Sequence, residues 1–281
     1  MKLGLIGYGY WGGGFVARNI ARVAELAVIA DPDPFRMQEA SAVWAAWGTR
    51  VVSEPRVALE ECDAVWIATP AATHAALVHD ALDAGCHVLC EKPFVLDADD
   101  AHVLADKAEA YDAALMVGHL SLYTGCHTSA RFAMRDNKRT RIRSVRHTDR
   151  PSISDHDVLH GLGPHDLASV VDLLGEPDVA IASGGRHRVV AHLAWDAGHT
   201  ADLVLDWCSD ERHRRFWLND VDYATADDQR EPLLSQAERF LTIIEHPELR
   251  ASKRAEAVAV AGLTARLSRH PVADPRETIP A

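Results

Sequence analysis

Apolar and polar residues follow a regular order along the first 120 residues, in which short apolar runs alternate with longer amphipathic stretches. The runs predict strands, because each is brief and apolar throughout; they cover residues 2–7, 26–31, 50–52, 63–70, 87–93 and 114–120. The stretches between them predict helices near residues 10–22, 34–47, 72–84 and 98–111. Strands of this kind that alternate with helices indicate a parallel sheet covered on both faces.

The pattern changes after about residue 122, where strands begin to follow one another in series. The predicted strands cover residues 141–148, 178–184, 188–196, 200–208 and 212–219, and the predicted helices cover 122–136, 157–174, 233–246 and 252–269. We interpret the first of these strands, RIRSVRHT, as a solvated edge because it is basic; the alternative is that it attracts a phosphorylated or nucleotide-linked substrate. Strands in series favour antiparallel pairing. The sequence therefore predicts an α/β fold: a doubly wound parallel sheet in residues 1–121 and an α+β domain with a mostly antiparallel open sheet in residues 122–281.

The composition excludes several classes of protein. The chain is 48% hydrophobic with a formal net charge of −12, which argues against a general nucleic-acid-binding protein. No apolar run reaches the roughly 18 residues of a membrane helix, and the N-terminus leads directly into a predicted strand, so we expect a cytoplasmic protein. The five cysteines are scattered and complete no zinc motif, and several histidines near residue 160 have no compact ligand spacing, so we expect no metal.

The first predicted strand leads into GYGYWG, residues 7–12, which fits the pattern G-x-G-x-x-G. It stands between a strand and a helix, and Asp31 follows 19 residues after Gly12, at the end of the next strand. This context is typical of a dinucleotide site. The pyrophosphate would approach Gly9, and we expect contacts from the whole turn: Gly7, Gly9, Tyr10, Trp11 and Gly12. Asp31 would accept hydrogen bonds from the adenosine ribose and repel a 2′-phosphate, which favours NAD over NADP. Arg36 lies near enough to weaken that preference, and a glycine turn without a ligand is the alternative.

Four stretches together resemble the Gfo/Idh/MocA family of NAD(P)-dependent oxidoreductases, which act mainly on sugars, cyclitols and nucleotide-linked sugars. They are GLIGYGYWG at 4–12, ATPAATHAAL at 68–77, AGCHVLCEKPF at 84–94 and DVLHGLGPHDLASVVDLLGEP at 157–177. The resemblance implies a Rossmann domain and a second domain that binds substrate and forms oligomers. It also implies a small sugar-like substrate and a homodimer or larger assembly on the second domain's open sheet face.

The resemblance implies roles for the residues at the ends of the predicted strands. Lys92 of E-K-P would lie beside the nicotinamide and the reacting carbon, where an ammonium stabilises a developing alkoxide. Glu91 would orient Lys92 or touch the cofactor. The matching loop near the nicotinamide ribose holds Thr69, Pro70 and His74.

One family motif is incomplete in this chain. The family often takes its acid–base pair from D-x-x-x-H; His165 matches the histidine, but Gly161 stands where the aspartate would be. Tyr123 is a candidate substitute, with simple packing as its alternative role. The chain is also shorter than most relatives, between about residues 178 and 232. Two further hypotheses therefore stay open: a dehydratase, epimerase or imine-reducing enzyme on the same scaffold, and a dinucleotide-binding protein without turnover.

Overall fold

The computed structural model describes residues 1–134, 139–148, 157–209, 212–223 and 231–269, and the backbone of 271–272. The chain divides into two compact units. The first is built from Met1–Gly118 and Glu231–Val258, and the second from His119–Arg230 and Ala259–Ala281. The domain bounds 1–121 and 122–281 stay a prediction; the structure differs from them in that Glu231–Val258 belongs to the first unit.

The first unit holds a six-stranded sheet in which every paired strand is parallel to its neighbour. Its strands are β1 (Lys2–Ile6), β2 (Glu25–Ala30), β3 (Arg50–Val52), β4 (Ala64–Ile67), β5 (His87–Cys90) and β6 (Leu115–Val117), in the order β3-β2-β1-β4-β5-β6. The central strands β1 and β4 are almost wholly buried, as expected of a sheet covered on both faces. The strand order reverses between β1 and β4, and open α/β sheets bind ligands beyond the carboxyl ends of the strands at such a point.

Helices connect these strands, much as the apolar pattern predicts. A π-helical turn over Gly12–Val16 precedes α1 (Ala17–Val23), and the others are α2 (Pro34–Trp44), α3 (Pro55–Glu61), α4 (His74–Asp83) and α5 (Ala98–Ala110). The sequence pattern missed α3. This helix has only seven residues, of which just Ala58 and Leu59 are buried, so it presents too little of a repeating apolar face to be recognised.

The second unit holds a seven-stranded sheet of order β12-β11-β7-β10-β9-β8-β13. Its strands are β7 (Arg141–His147), β8 (Val179–Gly184), β9 (Arg188–Ala194), β10 (Thr200–Asp206), β11 (His213–Leu218), β12 (Val221–Asp222) and β13 (Pro271–Val272). The pairs β7–β10 and β8–β13 are parallel and the other four are antiparallel, which confirms the predicted fold class. The interpretation of β7 as an edge strand is wrong, because β7 lies between β11 and β10. Its exposed arginines, Arg141 and Arg143, lie on one face of the strand, while Ile142 and Ser144 are buried on the other.

One face of this sheet packs against the core of the second unit, which includes α6 (Gly125–Ala133) and α7 (Val158–Leu174). Buried side chains of α7 such as Leu167 join Leu203 and Trp207 of the strand region in a single apolar cluster. The other face carries exposed apolar residues: Val179, Ile181 and Val190. Trp195 and Trp207 are buried in the core of this unit.

Two further helices, α8 (Pro232–Glu245) and α9 (Arg250–Ser268), lie between β12 and β13 in sequence. α8 packs against α1 in the first unit, and an ion pair joins Glu231, just before α8, to Arg22. The unit boundary falls inside α9, after Val258. No helix within the described ranges is long and apolar enough to cross a membrane.

Candidate active site

The glycine-rich turn begins directly after β1 and is shaped by close backbone contacts. Gly7 has φ +97°, and a Cβ there would lie 2.6 Å from the carbonyl oxygen of Ala68. A Cβ on Gly12 would overlap the carbonyl oxygen of Gly7, so the start of the helix can approach the strand only without a side chain at that position. These two glycines therefore set the turn that the motif predicts.

The turn carries aromatic side chains in three different settings. The Tyr8 hydroxyl accepts a hydrogen bond from Trp44 Nε1 at 2.9 Å, which ties the turn to the end of α2. Tyr10 is 79% exposed, and its ring meets the edge of Phe15 at 5.6 Å. Trp11 packs on Phe15 at 5.0 Å, and its side chain lies close enough to the Glu91 carboxylate to lower that group's pKa against the effect of burial. Of the two aromatic residues predicted to contact the cofactor, Tyr10 is thus exposed and Trp11 is half-buried.

Asp31 joins the end of β2 to the glycine-rich turn. Its Oδ2 accepts a hydrogen bond from the backbone N–H of Tyr8 at 2.6 Å, and its Oδ1 accepts one from the backbone N–H of Asp33 at 2.9 Å. These two bonds fix the orientation of the buried carboxylate beside the turn. Arg36 instead pairs with Glu39 at 2.8 Å on the surface of α2.

His74 lies at the start of α4 and is only 1% exposed. One ring nitrogen, Nδ1, lies 2.8 Å from the carbonyl oxygen of Pro93, and Nε2 lies 2.9 Å from that of Thr69. Burial lowers the pKa of His74 below its ordinary value. The imidazole thus lies between the Thr69–Pro70 loop after β4 and the Lys92–Pro93 segment after β5, and in its neutral form one nitrogen donates to one of these two carbonyl oxygens.

Glu91 and Lys92 follow β5 directly, and the Lys92–Pro93 peptide bond is cis. The buried Glu91 carboxylate accepts a hydrogen bond from Trp66 Nε1 at 3.2 Å, and burial raises its pKa. A Cβ on Gly118, just after β6, would lie 2.8 Å from Glu91 Oε2, so this glycine leaves room for the carboxylate. The Lys92 side chain is half-buried. The ends of β1, β4, β5 and β6 therefore bring the predicted residues of the first unit to one edge of the sheet.

The second unit carries the remaining predicted residues, His165 and Tyr123. Tyr123 ends a short 3-10 segment, Leu120–Tyr123, and His165 lies in α7; both are half-buried. The hydroxyl of Ser121 donates to the carbonyl oxygen of His165 at 2.6 Å, so this segment is attached to α7 at the level of His165. Gly161, four residues earlier in α7, lies against the ring of Trp207, where a Cβ would overlap Cζ2.

Several interactions of the site were not predicted from the sequence. Trp66 binds Glu91, and Arg146 binds Asp166, the neighbour of His165, through two hydrogen bonds of 2.7 and 2.9 Å. In each pair the two residues are distant in the chain. Only the basic character of β7 indicated the Arg146–Asp166 pair. No group of three His, Cys, Asp or Glu side chains within the described ranges could hold a metal; His156 lies outside them.

Comparisons with known proteins agree with this geometry. A family model described as "Oxidoreductase family, NAD-binding Rossmann fold" (GFO_IDH_MocA) matches residues 1–119. UDP-N-acetylglucosamine 3-dehydrogenase of Acidithiobacillus ferrooxidans is 31% identical over 237 residues, which cover 81% of this chain and 74% of that protein. The chain belongs to the Gfo/Idh/MocA oxidoreductase family.

Two further comparisons differ in how much of this Gfo/Idh/MocA chain they cover. A solved structure of the A. ferrooxidans enzyme superposes with a TM-score of 0.85 at 26% identity, over 96% of this chain and 97% of that one. An inositol 2-dehydrogenase of Rhodococcus erythropolis is 38% identical over 114 residues, only 39% of this chain and 32% of that protein. The first match extends through both units.

The residues of this Gfo/Idh/MocA chain fit the nicotinamide dinucleotide that the family implies. No heavy atom lies within 4 Å of a Cβ built on Gly9, so the space beside the turn is open to a ligand. The Asp31 carboxylate stands fixed beside that space through Tyr8 N–H. An open cradle next to an oriented carboxylate is the arrangement that a pyrophosphate and an adjacent ribose require.

Proposed function

We propose that this protein is an NAD-dependent dehydrogenase or ketoreductase that acts on one carbon of a nucleotide-linked sugar. The observation that carries the proposal is the match to UDP-N-acetylglucosamine 3-dehydrogenase, because it covers 81% of the chain and so extends well beyond the cofactor domain. The inositol dehydrogenase match covers only 39% and supports the oxidoreductase class rather than a cyclitol substrate. Sugars and cyclitols without a nucleotide are therefore the less favoured members of the predicted substrate class.

The preference for NAD over NADP rests on Asp31. A buried carboxylate held by two backbone N–H groups keeps its charge in one place, where it favours ribose hydroxyls and opposes a 2′-phosphate. Arg36, the residue that would weaken this preference, is engaged with Glu39. Gly7, Gly9, Tyr10, Trp11 and Gly12 would surround the pyrophosphate, with Thr69, Pro70 and Glu91 nearer the nicotinamide.

The chemistry needs a hydride carrier and a group that handles a proton. A bound nicotinamide would supply the hydride acceptor or donor. Oxidation of a CH–OH carbon also releases the hydroxyl proton, and Lys92 is placed after β5 to stabilise the alkoxide that forms as this proton leaves. We assign the proton itself to Lys92 and His165 together, with Tyr123 as the alternative to His165. His74 would act by fixing the backbone of Pro93, the residue after Lys92, and that of Thr69, since its two nitrogens face these carbonyl oxygens.

The packing of Trp207 against Gly161 favours a second candidate, a dehydratase, epimerase or imine-reducing reaction on the same scaffold. With glycine at the family's aspartate position, the motif that supplies the acid–base pair is incomplete, which suits a reaction with a different order of proton transfers. The homo-oligomeric state and the cytoplasmic location remain predictions.

The deciding experiment incubates the purified protein with NAD⁺ or NADP⁺ and a panel of UDP-linked sugars, free sugars and inositols. Products are analysed by mass, and cofactor reduction is followed by absorbance. We expect a product two mass units lighter than one UDP-linked sugar, with NAD⁺ as the better cofactor. A product lighter by one water, or of unchanged mass but altered stereochemistry, would support the second candidate instead. Turnover of inositols alone would contradict the nucleotide-linked substrate.

A further inference from the structure

Trp66 lies in the central strand β4 of the first unit and is only 1% exposed. Its ring packs in the core, but its Nε1 also donates a hydrogen bond to Glu91 Oε1 at 3.2 Å. In the same β4–β5 ladder, the backbone N–H of Glu91 donates to the carbonyl oxygen of Ile67 at 2.9 Å. Strand β4 therefore holds both the backbone and the carboxylate of Glu91.

The Glu91 carboxylate is closely surrounded on the protein side. A Cβ on Gly118, just after β6, would lie 2.8 Å from Oε2 and 3.1 Å from Oε1, so the carboxylate fills the space that this glycine leaves. The side chain of Trp11, in the glycine-rich turn, also lies close enough to lower the pKa of Glu91. Glu91 is only 8% exposed. Protein side chains rather than bulk water therefore determine how well its charge is stabilised.

The ionisation of Glu91 is opposed by burial and favoured by its neighbours. Burial has the largest effect and raises its pKa, whereas the indole of Trp11, the charge of Lys92 and the indole of Trp66 lower it. An indole Nε1–H can only donate, and a donor to the carboxylate favours the charged form. The Cys90 thiol, whose own pKa is raised by burial and by Glu91, adds no charge at neutral pH. The charge of Glu91 therefore depends on Lys92 and the two indoles.

Lys92 depends in turn on the charge of Glu91. The attraction between two opposite charges is mutual, so a carboxylate at Glu91 favours the ammonium form of Lys92 just as Lys92 favours the carboxylate. A neutral Glu91 would leave the ammonium without this partner. The charge of Lys92 also acts on His74, whose pKa burial lowers. The protonation of Glu91 therefore affects the residue on which the proposed chemistry depends most.

We propose that Trp66 is a positioning residue of the active site, which holds Glu91 in its ionised form beside Lys92, and that Trp11 assists it from the glycine-rich turn. The proposal rests on the proposed function as far as Lys92 acts in catalysis. The interaction between Trp66 and Glu91 itself belongs to the folded chain and needs no substrate. An indole that only packed in the core could be replaced by phenylalanine without an effect on the ionisation of Glu91.

The first test follows the isotope-labelled indole N–H groups of the seven tryptophans by NMR during a pH titration. We expect two indole signals to move with one common midpoint in the wild type, and neither to do so in Glu91→Gln. In Trp66→Phe one of the two signals is lost. The other should titrate about one pH unit higher, because the charged carboxylate has lost a hydrogen bond. Trp44→Phe removes an indole N–H that binds the Tyr8 hydroxyl instead, and it should leave the midpoint unchanged.

The second test measures kcat/KM against pH on the substrate that the panel identifies. In Trp66→Phe the fall of activity towards acid pH should begin about one pH unit higher than in the wild type. Glu91→Gln resembles the protonated acid and should show the lower activity at every pH. Adding Trp66→Phe to Glu91→Gln should cause no further shift, because the group on which the indole acts is absent. Protonation of His74 can also contribute, so only the part of the profile that Glu91→Gln removes is assigned to this interaction.

The two tests separate this proposal from misfolding and from the proposed function. The wild-type and Glu91→Gln titrations leave Trp66 in place, so they test its contact with Glu91 even if the smaller ring of Trp66→Phe prevents folding. A protein that turns over no UDP-linked sugar but shows the expected titration would contradict the proposed function and support the role of Trp66. A wild type in which no indole signal depends on Glu91, or an unchanged midpoint in folded Trp66→Phe, would overturn the proposal.

Discussion

The indole ring of Trp207 fills the space beside Gly161 in α7. A Cβ on Gly161 would overlap Cζ2 of the ring and stand 3.0 Å from Cη2, and Trp207 is only 2% exposed. Position 161 is the one at which the family's D-x-x-x-H motif has its aspartate. Because the ring is held in the core, a carboxylate at position 161 requires the ring of Trp207 to move.

This relationship predicts the effect of enlarging Gly161. Gly161→Ala should lower the free energy of unfolding by about 1–3 kcal/mol, because overpacking a filled core forces side chains out of their preferred positions. Urea unfolding followed by circular dichroism measures it. Gly262→Ala is the matched control within a helix: its Cβ would meet no heavy atom within 4 Å, so it should stabilise by about 0.4–1 kcal/mol. Equal midpoints for Gly161→Ala and the wild type would show that Trp207 gives way.

Much of the fold follows from local sequence, and much of the site does not. The β1 strand, the glycine-rich turn and Asp31 were predicted because their information lies in spacing along the chain. The interior position of β7 was missed because neighbours in the second sheet are set by tertiary pairing, with β10 nearly 60 residues away. The hydrogen bond from Trp66 to Glu91 likewise joins residues that are 25 apart in the chain. Such contacts have no local signature.

Asp31 allows a prediction about cofactor choice. Asp31→Asn keeps a hydrogen-bond acceptor for the Tyr8 N–H but removes the charge that opposes a 2′-phosphate. The ratio of NADPH to NADH affinity should therefore rise at least several-fold, as measured by nucleotide fluorescence on titration. Asp33→Asn, at the N-cap of α2, removes a neighbouring charge and serves as the control. A wild-type protein that binds NADPH as tightly as NADH would refute the assignment.

His74 gives a prediction about pH. Its pKa is lowered in the folded protein, so below the unfolded value of about 6.5 the unfolded chain binds protons that the folded one resists. Stability should be full above about pH 6.5 and should fall as the pH drops towards the folded pKa. His74→Gln should be less stable overall but show a shallower loss between pH 7.5 and 5.5 in urea unfolding. His87, whose pKa burial also lowers, keeps part of the slope.

The outer face of the second sheet predicts self-association. Ile181, His192 and Asp202 stand in register across β8, β9 and β10, and Val179 and Ile181 are 48% and 55% exposed. Exposed apolar residues on one face favour contact with a second copy. We expect a dimer or larger assembly by light scattering at micromolar concentration and a monomer for Ile181→Glu. Val103→Glu, on the exposed side of α5, should not change the mass. A monomeric wild type would exclude this interface.

Lys92 is the residue on which the proposed chemistry depends most. It follows β5 directly. His74 lies against the carbonyl oxygen of Pro93, the residue after Lys92. The carboxylate of Glu91, the residue before it, accepts a hydrogen bond from Trp66. Because Gly161 leaves His165 without the family's aspartate, more of the proton handling falls on the lysine. Removal of such a group typically costs about 10²–10⁴-fold in rate. Lys92→Ala should therefore lower kcat at least about a hundredfold on the substrate that the panel identifies, with NADH affinity nearly unchanged.

Three companion variants separate this role from simpler explanations. His165→Ala should lose less activity than Lys92→Ala if Tyr123 or water takes over the proton, and adding Tyr123→Phe to it should then deepen the loss. Lys107→Ala removes a lysine of α5 that pairs with Asp83 at the end of α4. This variant should keep normal turnover. Near-normal kcat in Lys92→Ala, with intact cofactor binding, would mean that the lysine has only a structural role after β5. A group that stabilises the developing alkoxide cannot be removed without raising the activation barrier.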